Sequence, residues 1–122
     1  MANVKPQTQR RGIRTTAPWG YFQVIDEGKG YKAKRIVVEP GARLSLQKHT
    51  HRAEHWVVVD GIADVTIGSE TSRLDENRSA FIARGEIHRL ANPGDRQLTT
   101  TTSAHSPGEA ESIPGGDAVA LS

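Results

Sequence analysis

Apolar residues in this chain come in short runs, and within most runs they alternate with polar ones. Tyr21–Ile25 is rich in strand formers. Tyr31–Val38 sets Lys32, Lys34 and Ile36 on one face against Tyr31, Ala33, Arg35 and Val37 on the other. Alternation at period two marks a half-buried strand. Arg43–His49, Glu54–Val59, Ala63–Ile67, Thr71–Leu74, Ser79–Ala83 and Ile87–Ala91 are also read as strands, the last two pairs joined around Gly68 and Gly85. Asp26 to Gly30 and Pro40-Gly41 read as turns, and Asp60-Gly61 as a hairpin turn. No segment keeps a helical period and no repeat is visible. Many short strands at close spacing predict an all-β fold, an antiparallel sandwich or barrel.

The ends differ from this middle. Residues 1–16 carry Lys5, Arg10, Arg11 and Arg14 and no acid, whereas 97–122 carry Glu109, Glu111 and Asp117 and no lysine or arginine. The basic stretch lacks aromatic residues and a recognition helix, so it reads as a disordered leader rather than a nucleic-acid arm. Thr99–Thr102 is expected to pair as a strand. The rest, rich in Ser, Gly and Pro, is expected to be disordered, with His105 uninvolved. The expected organisation is a leader over 1–16, one barrel domain over 17–102 and a tail over 103–122.

A chain of 122 residues can bury one core. The absence of cysteine excludes disulfides and thiolate metal sites and fits a reducing compartment. No apolar run approaches the roughly 20 residues of a membrane span, and the N-terminus lacks the apolar middle of a secretion signal. The expectation is a soluble, cytoplasmic protein with neither a membrane nor a nucleic-acid partner.

Candidate chemistry concentrates between Gly41 and Gly61. Three of the five histidines, His49, His51 and His55, stand here with Gln47 and Glu54 interleaved. On one strand Gln47, His49 and His51 share a face, and Glu54 follows a short turn at the start of the next. An amide oxygen, an imidazole and a carboxylate aimed at one point suit one divalent ion of the Zn, Mn, Co, Fe or Ni kind. Histidines in a polar turn are also often simply solvated; His88, at the edge of a distant apolar segment, tips the balance toward a metal site. His51 stands open as an alternative to Gln47, since His49-x-His51 is itself a usable pair. His55 falls out of phase with Glu54 and is expected on the outer face, with Trp56 and Val58 lining the barrel.

These residues resemble a family. Gly41-x5-Gln47-x-His49-x4-Glu54-x6-Gly61 looks like the first cupin motif, with Gln47 where most cupins carry a histidine. Asn77-x5-Ala83-x-Gly85-x2-His88-x3-Asn92 looks like the second, with Asn77 and Ala83 replacing the usual glycine and proline. More narrowly, the stretch from Ala17 to Leu98, including LSLQ-x-H-x-HRAEHWVVV, resembles the type II phosphomannose isomerases. These are cupin domains often fused behind a mannose-1-phosphate guanylyltransferase. After Leu98 the relatives continue with an EVQxG-type strand and an acidic, aromatic tail ending near Tyr-Gly-Arg, from which TTTTSAHSPGEAES departs.

The resemblance implies a small β-barrel (double-stranded β-helix, or jelly roll), a divalent metal, and interconversion of mannose 6-phosphate and fructose 6-phosphate. Gln47, His49, Glu54 and His88 would be the ligands. They would leave open positions for substrate oxygens and carry one negative charge, so the ion stays electrophilic. His51 is the first candidate for general base. Arg43, in the ligand phase, with Lys34 and Arg89, would meet the phosphate. The alternatives are a catalytically weak or silent metal-holding cupin that binds a sugar phosphate or sugar nucleotide, and a different cupin enzyme such as a dioxygenase or epimerase; the cations argue against the dioxygenase. Val57 and Val59, facing outward beside His55, point to a homodimer. The missing guanylyltransferase domain would be a partner in trans.

Overall fold

The computed structural model describes residues 12–106. The two expected disordered ends therefore lie mostly outside the described residues, as do Glu109, Glu111 and Asp117. Nine strands and no helix are present among the described residues: β1 (Arg14–Ala17), β2 (Gly20–Gly28), β3 (Tyr31–Val38), β4 (Ala53–Asp60), β5 (Ala63–Ile67), β6 (Glu70–Leu74), β7 (Ser79–Ile82), β8 (His88–Ala91) and β9 (Leu98–His105). They form a six-stranded sheet, β1-β2-β3-β9-β4-β7, facing a three-stranded sheet, β6-β5-β8. All pairings are antiparallel.

Alternation places the core. Ile36 and Val38 of β3, Trp56 and Val58 of β4, Val65 of β5 and Leu90 of β8 are buried in one cluster with Leu98 of β9. The strand sequence TTTT fits because only its even positions face inward: Leu98, Thr100, Thr102 and Ala104 are buried, and the residues between them are not. Along the large sheet the inner face thus changes character. It is apolar where Val38 pairs with Leu98, and polar where Lys34 pairs with Thr102 and Glu54 with Ala104.

The structure corrects several expectations. Asp60-Gly61 is not a hairpin turn, because β4 and β5 belong to different sheets; it carries the chain across the barrel. Gly61 has φ +100°, and a Cβ there would lie 2.9 Å from the Gln97 carbonyl oxygen, so glycine is required. The turn at Gly85 likewise crosses between sheets, while β5–β6 around Gly68 is a hairpin as expected. Arg43–His49 is not a continuous strand. It touches β8 at two isolated bridges, Arg43 to Ala91 and Gln47 to His88. Strands also run past both expected domain limits: β1 starts at Arg14 and β9 ends at His105.

β9 sits between β3 and β4, so the last described strand is central to the larger sheet. Leu98 is fully buried at its start. Leu98→Ala should cost about 2–5 kcal/mol, read from urea unfolding monitored by tryptophan fluorescence.

Candidate metal centre

At the polar end of the barrel three buried side chains converge. His49, Glu54 and His88 are 2%, 8% and 1% exposed. Each offers a ligand atom within 4.8 Å of the others, and they form the one such group among the described residues. They come from opposed walls. Glu54 stands second in β4 on the large sheet, whereas His88 opens β8 on the small one and exchanges both backbone hydrogen bonds with Gln47. His49 lies in the loop between, its carbonyl accepting from the Gly85 amide at 2.8 Å. The Gln47–His49 segment is thus not the antiparallel partner of the Glu54 strand that the sequence suggested: it pairs with β8, and β4 pairs with β7 and β9.

Local hydrogen bonds orient each donor. His88 Nδ1 lies 2.9 Å from the Glu86 carbonyl oxygen. That contact requires the proton on Nδ1 and leaves the Nε2 lone pair available. Nε2 is buried and has no hydrogen-bond partner, as a ligand atom would be. His49 Nε2 lies 3.2 Å from Glu54 Oε2 and 3.3 Å from Gln47 Oε1. The other Glu54 oxygen, Oε1, accepts from the Trp56 indole at 2.8 Å. Two imidazoles, one carboxylate and an amide oxygen are a donor set that fits a borderline divalent ion.

Two side chains of this centre were not assigned from the sequence. Arg52 donates from Nε to Glu54 Oε2 at 3.2 Å, and its Nη2 lies 3.2 Å from His49 Nε2. Trp56, expected only as lining, is the second anchor of Glu54. Trp56 was findable, since residues 54 and 56 share one face of β4, whereas Arg52 precedes that strand.

The expected substrate residues part company. Lys34 faces the cavity, in phase with Ile36. Arg43 does not: it is exposed, and its neighbour Leu44 points inward instead. The irregular pairing of 42–47 with β8 breaks the alternation that the expectation relied on. Arg89 lies between the buried His88 and Leu90 on β8 and so faces the opposite side. His51 sits half-buried in a bend at 50–51 and is outside the cavity lining; the bend ends the run of shared faces from Gln47 and His49. His55 is exposed and Trp56 and Val58 are buried, as their phase required.

Electrostatics lower the proton affinity of two of the donors, Glu54 and His88. Burial pushes the Glu54 carboxyl up, but hydrogen bonds from His49 and Trp56, with the His49 and Arg52 charges, outweigh it and hold the pKa at about 2 against an ordinary 4.5. Burial pulls His88 below its ordinary 6.5, against the Glu86 carbonyl and the Glu54 charge. Each group binds fewer protons folded than unfolded near these values, so each makes stability rise with pH. The Glu54 contribution is present above about 4.5 and is lost as pH falls toward 2. The His88 contribution is present above about 6.5 and is lost below it. Urea stability measured in chelator should therefore fall in two stages between pH 7 and 3, and Glu54→Gln should remove the lower stage.

The sequence matches the family described as Mannose-6-phosphate isomerase C-terminal over residues 5–104. It is 57% identical over 81 residues to the xanthan biosynthesis protein XanB of Xanthomonas campestris, covering 66% of this chain and 17% of that protein. It is 56% identical over 77 residues to the mannose-1-phosphate guanylyltransferase ManC of Salmonella typhimurium, covering 63% and 16%. The chain thus spans about a sixth of the length of these relatives. The cupin domain of Schizosaccharomyces pombe Cnp3 superposes with a TM-score of 0.69 at 16% identity, over 71% of this chain and 64% of that one. KdgF from Halomonas gives 0.70 at 14%, over 78% and 87%. The fold is that of a cupin barrel, and the chain belongs to the mannose-6-phosphate isomerase C-terminal family.

Proposed function

We propose that this chain is a metal-dependent aldose–ketose isomerase interconverting mannose 6-phosphate and fructose 6-phosphate. The observation that carries it is the convergence of His49, Glu54 and His88, of which His49 and Glu54, with Gln47, line a cavity that also faces Lys34 and Arg52. In this reading those four residues hold one divalent ion, which supplies Lewis-acid stabilisation of negative charge on the substrate oxygens. Trp56 and Arg52 fix both carboxylate oxygens of Glu54, so it presents one orientation. Trp19, Phe22, Ile36 and Leu44 form the apolar wall of the cavity. The substrate assigns the protein to the cytoplasm. The guanylyltransferase named among the relatives supports such an enzyme as partner in trans.

His51 is no longer part of this reading as general base, because it does not line the cavity. That favours a second reading, a metal-holding barrel that binds the sugar phosphate without turning it over. Purified protein should hold about one divalent ion per chain, and His49→Ala and His88→Ala should each lose most of it. A coupled assay from mannose 6-phosphate to glucose 6-phosphate, with Mn, Co or Zn supplied, separates the two readings. Turnover supports the isomerase; metal without turnover leaves the binding protein; metal retained by both variants removes the site.

The reading includes a homodimer through the outer face of β4 and β7. Val59 and Phe81 are 50% and 63% exposed there, and His55 pairs with Phe81 across the strands. Light scattering at micromolar concentration should give twice the mass of one chain, and Phe81→Lys should reduce it to one.

A further inference from the structure

Trp56 bears on both walls of the metal centre. With Gln47, His49 and Glu54 it lines an inner cavity of about 100 Å³. It stands two residues after Glu54 on β4, so the two side chains share the inner face. Its strand neighbours are small, Ala80 of β7 on one side and Thr102 of β9 on the other. They leave room for an indole that is only 4% exposed. A buried indole needs an acceptor for its N–H. Here it donates to Glu54 Oε1 at 2.8 Å. The same ring meets His88 of the small sheet edge-on, with centroids 5.4 Å apart and planes crossing at 73°. One side chain thus touches a carboxylate from one sheet and an imidazole from the other.

The two oxygens of Glu54 face different neighbours. Oε2 lies 3.2 Å from His49 Nε2, which is itself 3.3 Å from Gln47 Oε1. The donor atoms gather on that side. Oε1 is turned to the indole instead. A carboxylate holds a divalent ion through one oxygen or through both. The two-oxygen mode requires Oε1 to swing toward the other donors. That swing breaks a charge-assisted hydrogen bond and leaves a buried N–H without an acceptor. The difference matters chemically, because a position taken by a second carboxylate oxygen is lost to a substrate oxygen.

We propose that Trp56 is a positioning residue that sets how Glu54 holds the ion: the indole keeps Oε1 back, so Oε2 alone is offered beside Gln47, His49 and His88. The inference rests on the reading of this centre as a divalent-ion site and is independent of the substrate. Phenylalanine at 56 would fill much of the same space and keep an aromatic edge toward His88, but it has no N–H with which to hold the carboxylate.

The test compares the cobalt-loaded parent with Trp56→Phe and Val58→Ala. Cobalt affinity is read by competition with a chelator. The visible absorption of bound cobalt reports the ligand set and weakens as more atoms coordinate. Val58 is buried on the same face of β4, so its truncation loosens the packing and leaves the indole N–H in place. Trp56→Phe should weaken cobalt binding about tenfold or more and lower the absorption as the second oxygen joins. Val58→Ala should melt at a lower temperature with the parent's spectrum. Parental affinity and spectrum in Trp56→Phe overturn the proposal, as does the same spectral change in Val58→Ala, which assigns it to packing. Difference infrared spectra of the parent, loaded minus metal-free, require no variant to fold. Widely split carboxylate stretching bands on loading support one-oxygen binding, and closely spaced bands overturn it. A parent that binds no divalent ion removes the metal centre and this inference together, whereas metal binding with an unchanged spectrum in Trp56→Phe removes the inference alone.

Discussion

Everything at the polar end of the barrel depends on one buried carboxylate. Glu54 is almost removed from solvent, and an ionised carboxylate there is costly unless its lone pairs are filled. The Trp56 indole, the Arg52 guanidinium and the His49 ring together meet both oxygens. The outcome is a carboxyl held at about 2, a negative charge that persists at any physiological pH. A neutral residue at 54 would leave the Trp56 and Arg52 donors unmatched. It would also leave the centre with no anionic donor among His49, Gln47 and His88.

The geometry of this charge follows from the two-sheet architecture. Within a single strand, ligands at alternate positions lie in a row and cannot surround a point. Here Glu54 projects from the large sheet while Gln47 and His88 project from across the barrel. Crossings at Asp60-Gly61 and Gly85 make this possible, because each moves the chain from one sheet to the other. Asn92 ties the walls together at the apolar end: its side-chain amide donates to the Val38 and Arg96 carbonyls at 2.9 and 2.8 Å. Rigidity at one end and donors at the other are two products of the same closure.

Much of this was legible in the chain. Period-two alternation located every strand but β1 to within a few residues, and β3 matched its expected limits. Phase alone put His55 outside and Trp56 and Val58 inside. What failed, failed where alternation fails. Arg43 was placed by counting back from Gln47, but residues 42–47 touch β8 only at isolated bridges, so the parity changes and Leu44 turns inward. His51 was placed by counting forward from His49, across a bend that ends the strand. Arg89 was chosen for its neighbour, although adjacent strand residues face opposite ways. The extent of β9 was underestimated because threonine and serine look like tail composition; burial of every second residue is a property of the partners β3 and β4, not of the segment itself.

Cavity size is a poor guide to this centre. A space of about 510 Å³ opens beside β5, β6 and β7, against Val65, Ile67, Leu74 and Phe81, five times the volume of the inner cavity at Glu54. Its polar residues are Ser69, Glu70, Ser72, Ser79 and Glu86, with no histidine and no cation. An ion or phosphate gains nothing from volume that offers it no opposite charge or directed lone pair. The small cavity concentrates both within a few ångströms: donors on one side, positive charge on the other. Such a gradient would orient a substrate of the proposed kind, because the end that carries negative charge and the end that must be polarised would be drawn to different walls.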